Sequence, residues 1–419
     1  MIADRMLRSQ TRAVIAAVGA VWSPVFVDRR PADRLLAEFL KRHPEFGGRD
    51  RRLIGDVVYG LLRWWGWLEP LAGPLIGATD PQTDEHLAGW ARVFLKVAVL
   101  EQADAHPVHA WWRAQGCTPG PSTAETFPSE RLVPAWVPAE IESPRPIPEL
   151  IDWLQRRPPL WLRVQSGDPA AAQRELQAAG LAATFDSRVP GAVSLGRARV
   201  NLRTLPAYAE GRVEVQDISS QAVGLVCGAR PGESWWDACA GGGGKALILA
   251  QAVGMQGRVL ATDLRADALQ ELVQRARRAG MHQIETRAGG MEAAASRSSF
   301  DGVLVDAPCS GSGTWRRNPW MRWQTELDTL RRFTARQLDL LQQAAPHVKP
   351  GGVLVYATCS LFAVENVRVV ETFLSGNTQF SRDGFADPFT GERLDGLHQF
   401  WPWDGDGDAM FVARLRRQA

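Results

Sequence analysis

The chain has 419 residues, 45% of them hydrophobic and 22% charged, with 48 Lys and Arg set against 46 Asp and Glu. That length exceeds what one core carries, so two or three domains are expected, and the ordinary composition excludes a disordered or fibrous chain. A formal net charge of +2 excludes a strong overall field for nucleic acid, so any such contact must come from local patches. The five cysteines, Cys117, Cys227, Cys239, Cys309 and Cys359, are odd in number and far apart. They argue for a reducing compartment and against a disulfide framework, and without CxxC spacing or clustered histidines they predict no metal site. Most of the 17 tryptophans are expected in the core.

In chain order, a basic stretch over Met1–Arg12 precedes an apolar run over Ala13–Trp22. The pair loosely imitates a signal peptide, but a buried or amphipathic helix is the preferred reading. No run approaches the roughly 18–20 apolar residues that span a bilayer, so no membrane contact and a cytoplasmic setting are expected. Apolar residues at three- and four-residue spacing predict helices over Pro31–His43 and Asp50–Trp64, within a helical domain of residues 1–116. Residues 117–150, rich in Pro and Ser, read as a linker. Residues 151–215 read as a small α/β subdomain, with strands near Leu160–Val164, Ala182–Phe185 and Val193–Leu195 and a helix over Pro169–Gly180. In residues 216–419, apolar strands over Ser234–Cys239, Arg258–Asp263, Ile284–Ala288, Phe300–Asp306 and Gly351–Thr358 alternate with helices over Lys245–Val253, Ala266–Ala279 and Gln324–Ala345. That alternation predicts an α/β, doubly wound, Rossmann-like parallel sheet whose ligands lie outside the carboxyl ends of its strands.

Four features fall at that edge. Asp237-Ala-Cys239-Ala240-Gly241-Gly242-Gly243-Gly244-Lys245 follows the first strand, where glycines let backbone approach a ligand at a helix N-terminus. It is not a nucleotide P-loop, because Cys239 and Ala246 stand where that motif needs Gly and Ser or Thr. Asp263 ends the second strand, where a carboxylate can take both hydroxyls of a ribose; a helix N-cap is its bland alternative. No second glycine fingerprint follows, so an adenosyl cofactor fits better than a dinucleotide. The last two features are Asp306-Ala-Pro-Cys309 and Thr358-Cys359-Ser360. A single buried cysteine is usually structural, but two at the ligand edge, one beside a carboxylate, point to chemistry. Carbon 5 of cytosine is a poor nucleophile until a thiolate adds to carbon 6. An acid near ring nitrogen 3 then stabilises the adduct while carbon 5 takes a methyl group.

The runs DACAGGGGK, VDAPCSGSGT and YATCS resemble those of the Sun-type (RsmB-like) RNA cytosine-C5 methyltransferases. Gln216-Asp217, Ser220-Gln221, Arg316-Arg317-Asn318-Pro319 and Glu365-Asn366 add to the resemblance over roughly 145–419. Residues Arg49–Arg63 resemble the NusB-like helical RNA-binding domain that precedes it in ribosomal RNA members. The resemblance implies S-adenosyl-L-methionine as cofactor and RNA, ribosomal by family, as partner of a monomer. It implies Cys359 as nucleophile, Cys309 as the residue aiding release, and Asp306 on the cytosine. Asp263 would take the ribose, and Cys239, Ala240, Gly241, Gly242, Gly243, Gly244 and Lys245, with Asp306, would line the cofactor. This chain departs from the family at Gly241-Gly242, where Ala-Pro is usual, and at Ala246, where Thr or Ser is usual. Past the third strand the family's acid is missing from Arg287-Ala-Gly-Gly290-Met, and Glu292 is the nearest candidate.

The run Trp315-Arg-Arg-Asn-Pro-Trp320-Met-Arg-Trp323 pairs cations with aromatics and is read as an RNA-contacting loop. The Arg49–Arg63 face is a second candidate, and Asp404–Asp408 reads as a turn before the last strand. Two other functions stay open: a methyltransferase on tRNA, DNA or a small molecule, and a cofactor-deficient relative that binds ribosomal RNA as an assembly factor.

Overall fold

The apolar run near the N-terminus is one face of a helix, Ile2–Phe26 (α1), whose Val14, Ala17, Val18, Val21 and Val25 are buried. Their three- and four-residue spacing makes it amphipathic, and the buried residues form one packing stripe. The chain is described here from a computed structural model that covers residues 2–76, 83–103, 106–120, 127–166, 168–198, 200–294 and 299–419. Helices Ala32–Arg42 (α2), Gly48–Arg63 (α3), Trp65–Ile76 (α4), Asp84–Leu100 (α5) and Pro107–Ala114 (α6) follow, and Ile147–Gln155 is α7. These helices form one compact unit, which spans Met1–Ala139, Ser143–Gln155 and Asn318–Thr325. Its core joins Leu53, Val57 and Leu61 of α3 to Trp90 and Phe94 of α5 and Trp112 of α6.

Of the stretch read as a linker, residues 121–126 lie outside the described residues. Residues beyond them are not free chain: Leu132, Val133 and Val137 are buried, and Trp67 donates its indole N–H to Pro128 O at 3.0 Å. α7 begins at Ile147, inside that stretch, and buries Leu150, Ile151 and Leu154. Short-range composition marked the Pro and Ser content, but burial here is set by contacts distant in sequence.

The second compact unit comprises Glu140–Glu142, Arg156–Arg317 and Glu326–Ala419. It opens with an antiparallel sheet of Trp161–Val164 (β1), Thr184–Phe185 (β2), Ala192–Ser194 (β3) and Val213–Val215 (β4) in the order β2-β3-β1-β4, with helix Pro169–Ala178 (α8) between β1 and β2. Buried Arg163 of β1 donates to Gln216 Oε1 at 2.8 Å and to Gln251 Oε1 at 2.5 Å, which ties this sheet to the helices of the next one.

Helix Ile218–Cys227 (α9) leads into the large sheet, and helices Gly244–Val253 (α10), Ala266–Arg278 (α11), Leu327–Ala344 (α12) and Val367–Gly376 (α13) flank its strands. Those strands are Ser234–Asp237 (β5), Arg258–Asp263 (β6), Ile284–Ala288 (β7), Phe300–Asp306 (β8), Val348–Thr358 (β9), Phe380–Arg382 (β10), Leu397–Phe400 (β11) and Met410–Arg417 (β12). Their order is β10-β12-β9-β8-β5-β6-β7, and β11 also pairs with β12. The pairs from β9 to β7 are parallel, and β12 runs antiparallel to β9. Successive residues face opposite ways, so Trp235, Val259 and Leu304 join one core cluster while Trp236, Leu260 and Val303 join another. Burial on both faces is why these strands read as near-continuous apolar runs. No helix among the described residues is long and apolar enough to cross a membrane.

Candidate active site at the carboxyl edge of the sheet

β5 ends on Asp237, β6 on Asp263, β8 on Asp306 and β9 on Thr358, and the parallel register brings all four ends to one edge. Beyond β5 the chain turns through Ala238–Gly243 into α10. Gly241 and Gly243 have φ of +52° and +85°, and a Cβ on Gly243 would lie 2.0 Å from Leu272. A side chain there is thus strained twice over, which explains the glycine. The Ala240 N–H donates to Thr262 O at 2.9 Å, Gly242 O accepts from Arg275 at 2.5 Å, and Gly244 lies beside the Gln216 amide. Burial, then the nearby Asp237, pushes the Cys239 thiol far up, so it is a neutral packing thiol at the loop's start.

Lys245, in the first turn of α10, is buried and donates from Nζ to Asp306 Oδ2 at 2.6 Å. Burial works against its charge, but the charge of Asp306 and its hydrogen bond, then Asp237 and Cys359, outweigh that and raise its pKa. Asp237 is 1% exposed, and neither carboxylate oxygen has a hydrogen bond of good geometry, although the Cys239 amide faces it. Burial, then the charge of Asp306, lifts it to about 7. It was read only as part of the glycine run; its isolation depends on burial, which the motif does not reveal.

Asp263 accepts from the Gly241 N–H at 2.8 Å, from the Arg265 N–H at 2.9 Å and from Arg265 Nε at 3.1 Å. Burial opposes its ionisation, yet these bonds hold the carboxyl below its ordinary value. It is not the N-cap of α11, which is Arg265, so the bland alternative does not account for it. Glu292, the candidate for the missing acid past β7, is exposed and turns back to accept from the Gly290 N–H at 2.7 Å.

The two cysteine loops lie side by side. The Ala307 N–H donates to Ala357 O at 2.8 Å and the Gly313 N–H to Cys359 O at 2.9 Å. A Cβ on Gly313 would sit 2.1 Å from Ala409 O, so only glycine lets this backbone approach so closely. The sulfurs of Cys309 and Cys359 are 3.4 Å apart, and both thiols are part-buried. The contact with Cys359, then burial, drives the Cys309 thiol well above its ordinary pKa. Cys359 lies within electrostatic reach of both Lys245 and Arg317. Arg317, half exposed, pairs with Asp408, and that charge outweighs burial to raise the guanidinium. Glu365 lies behind both loops and is fully buried.

The RNA-contact reading of residues 315–323 needs correction. Trp315 is buried beside Phe362, and Arg316 gives its hydrogen bonds to Arg156 O, Gly407 O and Asp406. In the helical unit, Trp320 packs 5.7 Å from Tyr59, Arg322 is fully buried on Leu132 O, Leu154 O and Gln155, and Trp323 donates to Leu62 O. These cations and indoles satisfy backbone carbonyls, and alternating Arg and Trp look the same in either role. Arg63 is likewise buried against Glu101 at 3.0 Å, whereas Arg49 and Arg52 are exposed and line a cavity of about 470 Å³ in the helical unit. That cavity contains none of the strand-end residues.

Residues 225–416 match the family described as 16S rRNA methyltransferase RsmB/F. Ribosomal RNA small subunit methyltransferase B of Pasteurella multocida is 34% identical over 64% of this chain and 61% of its own length. Its namesake from Serratia proteamaculans is 31% identical over 68% of this chain and 67% of its own length. The chain belongs to the RsmB/F family of methyltransferases. A probable member from Synechocystis is 32% identical over 67% of this chain and 64% of its own length, so the match spans about two thirds or less of these relatives. The crystal structure of PH0851 superposes with a TM-score of 0.76 at 23% identity, covering 96% of this chain and 98% of that one. NSun6 from Pyrococcus horikoshii, solved with SFG, gives 0.59 at 17% identity over 65% of this chain and 94% of that one. These two likenesses show the fold.

Proposed function

We propose that this chain forms 5-methylcytosine in RNA, with small-subunit ribosomal RNA as substrate, through a transient covalent bond between Cys359 and the base. The observation that carries the reading is the pair of sulfurs 3.4 Å apart beside the Lys245–Asp306 ion pair.

The residues present fit S-adenosylmethionine. Asp237 is a buried carboxylate with no good hydrogen bond, suited to a cationic ligand, and the glycine run turns at the same strand end. Asp263 would take the ribose and the 239–245 loop the methionine end. When bound, the cofactor supplies an electrophilic methyl group. The Cys359 sulfur, within electrostatic reach of Lys245 and Arg317, adds to carbon 6 and turns the ring into an enamine with nucleophilic carbon 5. Asp306, steadied by Lys245, holds the ring at nitrogen 3, where charge builds during addition. Once carbon 5 carries the methyl group, a base takes its proton, the electron pair left behind re-forms the carbon 5–carbon 6 double bond and expels the Cys359 thiolate, and Cys309 aids that release. Residues 1–116 are read as the NusB-like RNA-binding domain, with Arg49 and Arg52 exposed for phosphate, and 151–215 as a small RNA-binding subdomain before the catalytic residues 216–419. Such a substrate implies a cytoplasmic enzyme, and the reading takes it as a monomer.

The test is transfer of labelled methyl groups to unmodified small-subunit ribosomal RNA, followed by nucleoside analysis. Label in 5-methylcytosine is expected; label in another nucleoside, or none with a cofactor-binding protein, would overturn the reading. A second reading, a cofactor-deficient assembly factor, is favoured by one observation, the Arg265 side chain seated on Asp263. Calorimetry with S-adenosylmethionine separates the two, because the assembly factor would show no binding.

A further inference from the structure

The glycine loop is gripped by a residue outside its motif. Arg275, in the third turn of α11, donates from a terminal guanidinium nitrogen to Gly242 O at 2.5 Å, and its Nε lies 3.1 Å from Glu214 Oε2. Glu214 belongs to β4 of the small antiparallel sheet and is 3% exposed. Its Oε2 also pairs with Arg278 at 2.5 Å, and its Oε1 accepts from the Val215 N–H at 3.0 Å. One buried carboxylate thus holds two cations of α11, and one of those cations holds the loop. Two positions on, Gln216 accepts from Arg163 of β1 at 2.8 Å, and a Cβ on Gly244 would lie 3.4 Å from its amide nitrogen. The small sheet therefore reaches the loop at Gly242 and again at Gly244.

The glycine and the arginine suit each other. A Cβ on Gly242 would stand 3.3 Å from the same guanidinium nitrogen, a tight contact, so glycine leaves room for the cation to reach the carbonyl. Successive glycines also give the loop more backbone freedom to lose when it orders, and a bond to its middle carbonyl removes part of that freedom in advance. Glu271, the other carboxylate near Arg275, is 65% exposed and 3.9 Å away, too loose a pair to divert the guanidinium. Arg275 itself is 13% exposed, against 67% for Arg265, so its bond is a fixture of the loop and not one that a ligand replaces.

We propose that Arg275, anchored by Glu214, holds the glycine loop in its ligand-binding shape, so that the small sheet sets cofactor affinity through these two residues. Neither touches the reacting atoms; both are positioning residues. This role deepens the methyltransferase reading and rests on it for S-adenosylmethionine as the ligand, whereas the grip on the loop is a property of the chain alone. A loop shaped beforehand favours the bound ground state and the transition state equally, so KM for the cofactor responds and kcat does not.

The test combines deuterium exchange of the full-length protein without ligand, calorimetry with S-adenosylmethionine, and transfer kinetics. The deciding variant is Arg275→Lys, whose single ammonium can keep the ion pair with Glu214 but lacks the fork that reaches Gly242 O at the same time. Its melting temperature should stay within about 4 °C of the parent. Exchange in the peptide covering 238–245 should rise by at least about fivefold while the neighbouring strands keep their protection. S-adenosylmethionine should bind about tenfold more weakly, with KM raised to match and kcat within about twofold. Glu214→Gln should weaken binding in the same sense, and added to Arg275→Lys it should cost no further affinity, because it acts on the loop only through Arg275. Loop exchange unmoved in folded Arg275→Lys would overturn the proposal, and so would a loosened loop with parental affinity. Additive losses in the double variant would remove Glu214 as the anchor. A parent that binds no S-adenosylmethionine, with the loop still loosened in Arg275→Lys, would sink the methyltransferase reading and leave the grip on the loop standing.

Discussion

The two ends of the candidate site are built in opposite ways. At the cysteine end, backbone bonds from Ala307 and Gly313, three serine hydroxyls and buried Glu365 fix the loops from several directions. At the cofactor end, Asp263 is held by Arg265, whose side chain is 67% exposed, and Glu292 turns back on its own loop. The first arrangement places reacting atoms before any ligand arrives; the second holds its polar groups in bonds that a ligand must replace. Precision is therefore invested where covalent chemistry needs it, and the binding groups are left exchangeable.

That contrast can be broken by substitution. The largest effect is expected from Cys359→Ser, which should lower methyl transfer by at least about a thousandfold while leaving cofactor affinity within about twofold. Transfer kinetics alongside calorimetry would show the split. Next is Lys245→Met, which strands Asp306 in a partly buried position. Denaturant unfolding should report a loss of about 3 kcal/mol, with cofactor affinity falling as well. An unchanged midpoint would mean that the ion pair contributes nothing net.

Asp237 supplies a pH dependence. It keeps its proton to about pH 7 in the folded chain but only to near 3.8 in an unfolded one. The folded state then binds more protons between those values, so stability falls as pH rises through them. Asp217, lifted to about 7 by burial and Asp408, acts in the same sense. Asp237→Asn should match the parent near pH 3.5 and exceed it at pH 8 by on the order of 2 kcal/mol in thermal or chemical unfolding. The smallest effect is expected from Arg265→Ala. Freeing Asp263 should tighten S-adenosylmethionine by about threefold in calorimetry, and because the Arg265 side chain is exposed and backbone N–H groups still bond Asp263, stability should stay within about 0.5 kcal/mol.

The sheet was legible in the sequence because strands buried on both faces leave unbroken apolar runs: the predicted Phe300–Asp306, Arg258–Asp263 and Ile284–Ala288 are the strands observed. Boundaries set by non-local contacts were not. The helix expected over Gln324–Ala345 begins only at Leu327, because Thr325 and Glu326 are extended between it and a separate turn of helix at Met321–Gln324. Both cysteines were visible from their motifs, and the structure brings their sulfurs together. What holds their loops together was hidden: the donors that fix Glu365 come from Ser310, Gln337 and Ser360, up to 55 positions away.

The account's central claim is that Cys359 is the attacking sulfur. Trapping on ribosomal RNA carrying 5-fluorocytosine, with S-adenosylmethionine present, tests it most directly, since fluorine at carbon 5 blocks the proton loss that release requires. A covalent protein–RNA adduct is predicted for the parent and for Cys309→Ser, and none for Cys359→Ser. An adduct that survives in Cys359→Ser and disappears in Cys309→Ser would contradict the claim.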